Sequence, residues 1–326
     1  MGFATPKVVI SKCLGFAHCY YSGQMFNIDF LNQLEDFVEY FPVCPEMEIG
    51  LGVPRQTIRI VRDKETYELK LIQPRTKKDL TKAMGSFSEQ FLSEFDEIDG
   101  FIFKERSPSC GHKDIKVYSG IEGQVIHHNG VGFFAQKAFD LFPHTAVESD
   151  GRLNNLRLRE HFLTKLFGLA NFRSISSTEK RKMKNLVNYH ANNKYLLMAY
   201  DQEKLREMGR IVANHKDLPI HKVYNIYEEK LNDILDEPPH YKAIINVLQH
   251  IYGYFKKELT TEEKNFFLNI IEKYRDNKIP LSVPVHLLRS WIIEYDIDYL
   301  KEQTFINPFP EELIDLTDSG KNNDRL

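Results

Sequence analysis

The chain has 326 residues, of which 42% are apolar and 27% charged, and its net charge is −3. This length suits about two domains, and the composition is that of an ordinary globular protein. No run approaches the roughly 18 consecutive apolar residues of a membrane span, and the N-terminus lacks the pattern of a secretory signal. Residues 1–150 carry 16 Lys and Arg against 21 Asp and Glu, and residues 151–326 carry 27 against 25. Any contact with nucleic acid must therefore come from a local patch.

Strand and helix patterns alternate through the first 150 residues. The apolar and β-branched segments typical of strands are 8–14, 41–46, 57–63, 67–74, 100–107 and 144–150. The segments with helical spacing of apolar residues are 26–41, 78–95 and 130–142. This alternation predicts an α/β domain with a mostly parallel, helix-covered sheet, in which 57–63 and 67–74 form a hairpin.

Beyond about residue 155 the pattern is helical almost without interruption. The candidate helices are 156–171, 178–199, 201–214, 221–235, 240–258, 260–277 and 282–302. Asp201 and Thr260 are typical N-cap residues, and Thr260 has a glutamate three positions later. The sequence therefore predicts an α/β N-terminal domain, residues 1–150, followed by an all-α C-terminal domain, residues 151–326.

The four cysteines, Cys13, Cys19, Cys44 and Cys110, all lie in the first 110 residues. They are too few for a disulfide scaffold, and the cytoplasmic location that we expect would keep them reduced. Cys13, Cys44 and Cys110 each lie at or just after the end of a predicted strand. The carboxyl ends of parallel strands line one edge of a sheet, where ligands bind. These three thiols could therefore converge as metal ligands, and isolated buried cysteines are the alternative.

Two metal centres stay open on these residues alone. Zinc in a structural site takes four ligands, and Cys19 could be the fourth, although Cys13 and Cys19 lack the tight spacing of most zinc pairs. An iron–sulfur cluster tolerates widely spaced thiolates. With three thiolates, it would leave one iron open to act as a Lewis acid.

Possible acid/base groups neighbour two of these cysteines in the sequence. Glu46 follows Cys44 by two residues, and Ser107 and Ser109 come just before Cys110. Such groups beside an open metal position suit metal-assisted hydrolysis. A surface carboxylate and serines that hydrogen-bond within a turn are the alternative.

Three segments resemble, in order, the motifs of the thiouracil desulfidase family: ISKCLGFAHCYYSGQ, PVCPEMEIGLGVPRQTIRI and KERSPSCG. The resemblance covers about residues 7–148. It implies a [4Fe-4S] cluster whose fourth iron binds the sulfur of a thiocarbonyl substrate, which water converts to a carbonyl. By motif, the implied cluster and metal ligands are Cys13, Cys44 and Cys110.

The same resemblance implies roles for the neighbouring polar residues. Glu46 is implied as the acid/base group, and Ser107, with Ser109 next, lies on the substrate side. Cys19 is not an implied ligand. The segment CYYSG departs from the usual CRYDG of the family, so the roles of an arginine and an aspartate there do not carry over.

The second half is similar to another family that is often fused to the first. The segments that carry this similarity are NYHANNKYLLMAY, NVLQHIYGYFKKEL, IPLSVPVHLLRSWI and YLKEQTFINPFP. Proteins with both domains resemble desulfidases that remove sulfur from 4-thiouridine in tRNA, where the helical domain is taken to bind the RNA. We expect tRNA, or else a free thiolated nucleobase, as the partner. A free-thiouracil desulfidase with a structural helical domain and a non-enzymatic, zinc-stabilised RNA-binding protein are the alternatives.

Several polar residues of these segments are candidates for RNA contact: His190, Lys194, Gln249, His250, Lys256, Lys257 and Gln303, with the basic run Lys180, Arg181, Lys182 and Lys184. Solvent-facing lysines and hydrogen-bonded core histidines are the alternative. The helical spacing of Tyr252, Tyr254 and Phe255 predicts core residues.

Overall fold

The computed structural model describes residues 2–214, 218–315 and 317. The chain divides into two compact units. The N-terminal unit is Thr5–Phe162, and the helical unit comprises Met1–Ala4 and Leu163–Leu326. Within the described residues, no helix has both the length and the apolar character that a membrane span requires. The functional division at residue 150 stays a prediction.

The N-terminal unit alternates strands with helices. Its strands are β1 (Lys7–Ser11), β2 (Glu39–Val43), β3 (Arg59–Arg62), β4 (Leu69–Gln73), β5 (Lys78–Asp79), β6 (Gly100–Phe103), β7 (Ile115–Tyr118), β8 (Val125–Gly130) and β9 (Ala146–Ser149). Its helices are α1 (Asp29–Glu35), α2 (Pro45–Glu48), α3 (Thr81–Leu92) and α4 (Phe133–Leu141), and the first turns of α5 (Leu156–Ser176) also belong to it.

The first sheet has the strand order β2-β1-β6-β9, and every neighbouring pair is parallel. The central strands β1 and β6 are almost continuously apolar and, apart from the half-buried Lys7, buried, as parallel strands covered on both faces are. This confirms the mostly parallel sheet. The predicted helix 26–41 is too long, because α1 ends at Glu35 and Glu39–Val43 pairs with β1 instead.

A second, mixed sheet has the order β5-β4-β3-β7-β8. The antiparallel pairing of β3 with β4 confirms the predicted hairpin. Strands β7 and β8 were not predicted. Strand β8 reads VIHHNG and is largely exposed, so it has none of the apolar alternation by which strands are recognised.

The helical unit confirms the all-α prediction. Besides the later turns of α5, its helices are α6 (Met183–Asn192), α7 (Lys194–Tyr200), α8 (Gln202–Ala213), α9 (Ile220–Ile234), α10 (Tyr241–Tyr252), α11 (Thr261–Arg275), α12 (Ser282–Glu294) and α13 (Asp298–Lys301). The Asp201 carboxylate accepts two backbone N–H groups at the start of α8, and Thr260 forms a capping box with Glu263 at the start of α11. The predicted helix 178–199 is two helices, which meet at Asn193.

The N-terminus of α4 holds the loop that follows β6. The first N–H groups of a helix have no partner within the helix. Here Phe133 N donates to Pro108 O at 3.1 Å, and Phe134 N donates to Ser109 O at 2.9 Å. A Cβ on Gly132 would lie 2.4 Å from Ser109 O. This close backbone approach explains why glycine precedes α4, and it fixes the loop that carries Cys110.

Substitution of Gly132 with alanine tests this contact. Because the clash is with backbone, we expect Gly132→Ala to lower the free energy of unfolding by about 1–3 kcal/mol. Gly85→Ala is the matched control: it lies inside α3, where nothing is within 4 Å of an added Cβ, and it should raise that free energy by about 0.5–1 kcal/mol. Urea denaturation measures both. Equal effects of the two variants would contradict the close approach.

Candidate functional site

Three cysteines lie at the carboxyl edge of the first sheet. Cys44 directly follows β2, Cys13 lies two residues after β1, and Cys110 lies in the loop between β6 and β7. Strands β2, β1 and β6 are neighbours, and all three cysteines are buried. The parallel sheet therefore places these thiols on adjacent strand ends, as the sequence predicted.

Cys19 lies between two of these thiols. Its own thiol is hydrogen-bonded to those of Cys13 and Cys44, and Cys44 Sγ also donates to Cys19 O at 3.7 Å. The hydrogen bond to Cys13, followed by burial, raises the pKa of the Cys19 thiol to about 11. The residue is 4% exposed. Cys19 is thus a buried neighbour of the other thiols rather than a surface residue.

The thiols of Cys44 and Cys110 are also stabilised in their protonated form. The hydrogen bond with Cys19 and burial raise the pKa of Cys44 well above its usual value. Burial, with the nearby charge of Cys44, raises the pKa of Cys110 to about 12. The cluster-free protein therefore holds these groups as thiols, and a metal centre would displace their protons on binding.

The donor set of this edge consists of cysteine thiols, the ligand type that iron–sulfur clusters take. Among the described residues, no group of three His, Cys, Asp or Glu side chains is placed to hold one metal ion. A single zinc ion needs its sulfur ligands at about 2.3 Å from one point. A [4Fe-4S] cluster takes each thiolate on a different iron, so its ligands need not meet at one point. Three buried thiols on adjacent strand ends suit that demand.

The carboxylate of Glu46 lies on the first turn after Cys44 and is buried. Ser109 Oγ donates to Glu46 Oε1 at 2.7 Å, and Ser109 Oγ also lies 3.8 Å from Cys110 Sγ. The structure therefore joins residues 63 positions apart in the sequence. It brings together the carboxylate, one predicted serine and one predicted cysteine.

Ser107 closes the loop that presents Cys110. Its Oγ accepts the backbone N–H groups of Cys110 at 3.1 Å and of Ser109 at 3.3 Å. The same oxygen lies 2.9 Å from Ser109 Oγ. Since its lone pairs receive these two N–H groups, the hydroxyl hydrogen of Ser107 can point to Ser109, whose own hydrogen points to Glu46.

Arg55 is a site residue that sequence reasoning missed. Its Nε donates to Glu46 Oε2 at 2.6 Å, and the Arg55 side chain is 4% exposed. Further guanidinium nitrogens contact Gly52 O at 3.0 Å and Cys44 Sγ at 3.9 Å. A single buried cation thus holds both the carboxylate and a predicted ligand. The sequence feature that could have identified it is the arginine of the VPR segment in the second motif, which lies nine residues after Glu46.

Comparison with protein families agrees with this site. Residues 8–150 match the model of the family described as 2-thiouracil desulfurase. These residues contain every cysteine of the chain, together with Glu46, Arg55 and both predicted serines. They form a 2-thiouracil desulfurase domain. This desulfurase domain is fused to a second one, because residues 194–310 match DUF1722, a family described as of unknown function.

Two further proteins are similar to parts of the chain. The curated relative, "Uncharacterized protein YbgA" of Escherichia coli (strain K12), is 28% identical over 136 residues, which are 41% of this chain and 80% of that protein. A solved structure described as the [4Fe-4S]-dependent thiouracil desulfidase TudS is 25% identical, covers 46% of this chain and 93% of its own, and superposes with a TM-score of 0.34. The match to the 2-thiouracil desulfurase family supports an enzyme that acts on thiouracil.

Two of the polar candidates from the four segments of the helical unit have internal partners, and so has Arg181 of the basic run, whose Nε donates to Ser176 O at 2.6 Å. The Nδ1 of His190 lies 3.1 Å from the Tyr227 hydroxyl, and burial lowers the pKa of His190. Gln303 is 2% exposed and donates to Ala191 O at 2.9 Å. These contacts favour a structural role for both. The exposed candidates are Lys180, Lys182, Lys184, Lys194, Gln249, His250, Lys256 and Lys257.

Two exposed tyrosines of the helical unit stack on each other. The rings of Tyr254 and Tyr299 stack with their centroids 6.2 Å apart, and they are 44% and 38% exposed. Tyr252 and Phe255 are buried, as predicted, but the core prediction for Tyr254 is wrong. Helix α10 ends at Tyr252, and the tighter turn Gly253–Phe255 takes Tyr254 out of the helical spacing.

Removal of the Arg55 guanidinium tests its pairing with Glu46. We expect Arg55→Ala to lower the free energy of unfolding by about 3–5 kcal/mol, because it leaves a buried carboxylate without its cation. Arg55→Ala with Glu46→Ala should recover part of this loss, since no unpaired charge remains. Denaturant unfolding measures the series, with the exposed Arg62→Ala as control. If Arg55→Ala and Arg62→Ala changed the free energy of unfolding equally, the pair of Arg55 and Glu46 would not contribute to stability.

Proposed function

We propose that the chain hydrolyses the thiocarbonyl of a uracil base, with 4-thiouridine in tRNA as the substrate. Water replaces sulfur, so the products are the uracil or uridine carbonyl and hydrosulfide, and no electrons are exchanged. The observation that carries this proposal is the buried contact of Glu46 with Ser109, next to Cys110 and on the edge where the other thiols lie. The family match to a thiouracil desulfurase supports the same reaction.

Cys13, Cys44 and Cys110 would hold a [4Fe-4S] cluster. When bound, the cluster would supply an iron without a protein ligand, which acts as a Lewis acid toward the thiocarbonyl sulfur. Cys19 stays a thiol in this proposal. Its hydrogen bonds to Cys13 and Cys44 position those side chains in the cluster-free protein.

Glu46 is the general base of the proposal. Its Oε1 receives the Ser109 hydroxyl and its Oε2 receives Arg55 Nε, so the carboxylate is fixed at both ends. Each carboxylate oxygen has a further lone pair, which can accept a proton from the attacking water. The water oxygen then bonds to the thiocarbonyl carbon while the C=S π pair moves to sulfur. The carbon–sulfur bond breaks as Glu46 returns its proton to sulfur, which leaves with the bonding pair as hydrosulfide, and the second water proton passes to solvent as the carbonyl forms.

The two serines position the general base. Ser109 Oγ is 2.7 Å from Glu46 Oε1 and 2.9 Å from Ser107 Oγ. Ser107 Oγ accepts the backbone N–H groups of Ser109 and Cys110, so its hydroxyl can only donate, toward Ser109. Both hydroxyls therefore donate in the direction of Glu46 and fix its Oε1. Ser107 acts as a positioning residue, while Ser109 contacts the Glu46 carboxylate directly.

The DUF1722 domain is the RNA-binding part of this proposal. Single-stranded RNA is recognised by stacking of bases on aromatic side chains and by lysines at its phosphates. The exposed rings of Tyr254 and Tyr299 offer such a stacking surface, and the Tyr195 hydroxyl donates to that of Tyr254 at 3.1 Å. The exposed Lys194 directly precedes Tyr195 in the sequence, and the exposed Lys256 follows Tyr254 by two residues.

Cysteine variants test the cluster. We expect anaerobically purified protein to be brown. Cys110→Ala should lose the absorbance near ~400 nm of iron–sulfur centres, because Cys110 is a proposed ligand. Cys19→Ala should keep this absorbance, because Cys19 is not one. Metal analysis of each variant checks iron against zinc. If Cys19→Ala also lost the cluster, four thiolates would bind it and the open-iron chemistry would be wrong. A colourless protein with stoichiometric zinc would favour the non-enzymatic alternative.

Tyrosine variants test the RNA contact. We expect Tyr254→Ala and Tyr299→Ala each to weaken binding of thiolated tRNA by about 5- to 100-fold, the range of one lost base–aromatic stack. Turnover of free 4-thiouracil should stay at the wild-type rate. The control is Phe266→Ala, which removes another exposed ring, on α11. Fluorescence anisotropy at fixed ionic strength measures binding. Wild-type affinity of both tyrosine variants would exclude this surface.

A further inference from the structure

Three aromatic side chains form a cluster in the loop between β1 and α1. The rings of Tyr20 and Tyr21 lie 4.6 Å apart, and the rings of Tyr20 and Phe26 meet edge to face at 5.0 Å. Tyr20 and Phe26 are partly buried, and Tyr21 is 40% exposed. We call these three residues the aromatic wall. It extends from the interior of the N-terminal unit to its surface.

Backbone hydrogen bonds fix the aromatic wall to the candidate site. Phe26 N donates to the carbonyl of Cys13 at 2.8 Å, and Arg55 N donates to the carbonyl of Tyr21 at 2.9 Å. The side chain of Arg55 in turn binds Glu46. One end of the wall is therefore held by a predicted cluster ligand, and the other by the residue that orients the general base.

The Tyr20 hydroxyl lies within electrostatic range of the same site. Burial raises the pKa of Tyr20, and the charges of Tyr21, Cys13, Glu46 and Asp150 raise it further. The face of Phe26 is held by Lys104, whose Nζ lies 4.3 Å from the ring centroid. Lys104 is itself paired with Asp150 at 2.5 Å. The charges of Lys104 and Asp150 balance each other in this ion pair. The side chains next to the aromatic wall therefore offer no unbalanced positive charge to an anion, and they favour a flat, uncharged ligand.

We propose that the aromatic wall is the surface on which the ring of the thiolated pyrimidine stacks, with Tyr20 as the residue that favours ring substrates over acyclic thiocarbonyls. This inference rests on the proposed function and adds the means by which the base is selected. Every pyrimidine has two π faces, and an aromatic side chain contributes about 1–3 kcal/mol per stacked base. An acyclic thiocarbonyl such as thiourea offers the same sulfur with no ring to stack.

Substitution with an apolar residue that has no aromatic ring tests the role of the ring. Tyr20→Leu removes the π system, Tyr20→Phe removes only the hydroxyl, and Tyr67→Leu is the matched control, because Tyr67 is 71% exposed in the turn between β3 and β4. Two quantities are measured on full-length, anaerobically purified protein. One is the calorimetric affinity for uracil, which has no sulfur, and the other is the ratio of kcat/KM for 4-thiouracil to that for thiourea.

We expect Tyr20→Leu to lower the uracil affinity and the kcat/KM ratio by about 5- to 100-fold, with thiourea turnover unchanged. Tyr20→Phe and Tyr67→Leu should match the wild type in both. Cluster absorbance and the thermal midpoint show whether each variant is folded and loaded. If Tyr20→Leu does not fold, Tyr21→Leu, at an exposed position, must show the same fall.

Two results would overturn the inference alone. The first is a folded leucine variant whose uracil affinity and kcat/KM ratio equal those of the wild type. The second is a fall of these two quantities in Tyr20→Phe as large as in Tyr20→Leu, which would assign the effect to the hydroxyl. Failure of the proposed function gives a different pattern. In that case wild-type protein with a full cluster would release no hydrosulfide either from 4-thiouracil or from tRNA that contains 4-thiouridine.

Discussion

The parallel pairing of β2, β1 and β6 is the constraint on which the site depends. Parallel strands end at the same edge of a sheet, so residues that follow them are brought together whatever their distance in the sequence. Cys44, Cys13 and Cys110 follow these neighbouring strands. The loop to Cys110 is longer, and its position depends on the N-terminus of α4, which binds the loop carbonyls. A buried sheet and one helix end thus set the placement of the three thiols.

A buried ion pair sets the chemistry at this edge. Burial of a carboxylate costs free energy unless a cation and hydrogen-bond donors compensate it. Arg55 and Ser109 provide both for Glu46. The same guanidinium contacts Cys44, so the proposed acid/base group and a proposed cluster ligand share one positioning residue. The interior of the domain therefore holds its reactive groups in one arrangement before any substrate binds.

The sequence predicted the parts of the molecule that depend on local pattern. Apolar strands identified the first sheet and the strand ends at Cys13 and Cys44, and helical spacing identified the second half. The pairing of Arg55 was not predictable, because it depends on the path of a loop that has no periodic pattern. Strand β8 was missed because it is polar and exposed. Tyr254 was placed in the core because spacing alone does not reveal that α10 ends two residues earlier.

In the proposed centre, three protein thiolates hold a four-iron cluster and leave one iron for the substrate. Mössbauer spectroscopy of the ⁵⁷Fe-labelled, full-length protein, before and after addition of 4-thiouracil, measures this directly. We expect one iron of the four to be distinct from the other three, and its spectrum alone to change when the thiocarbonyl is added. A cluster with four equivalent, thiolate-bound irons that do not respond to 4-thiouracil would contradict it.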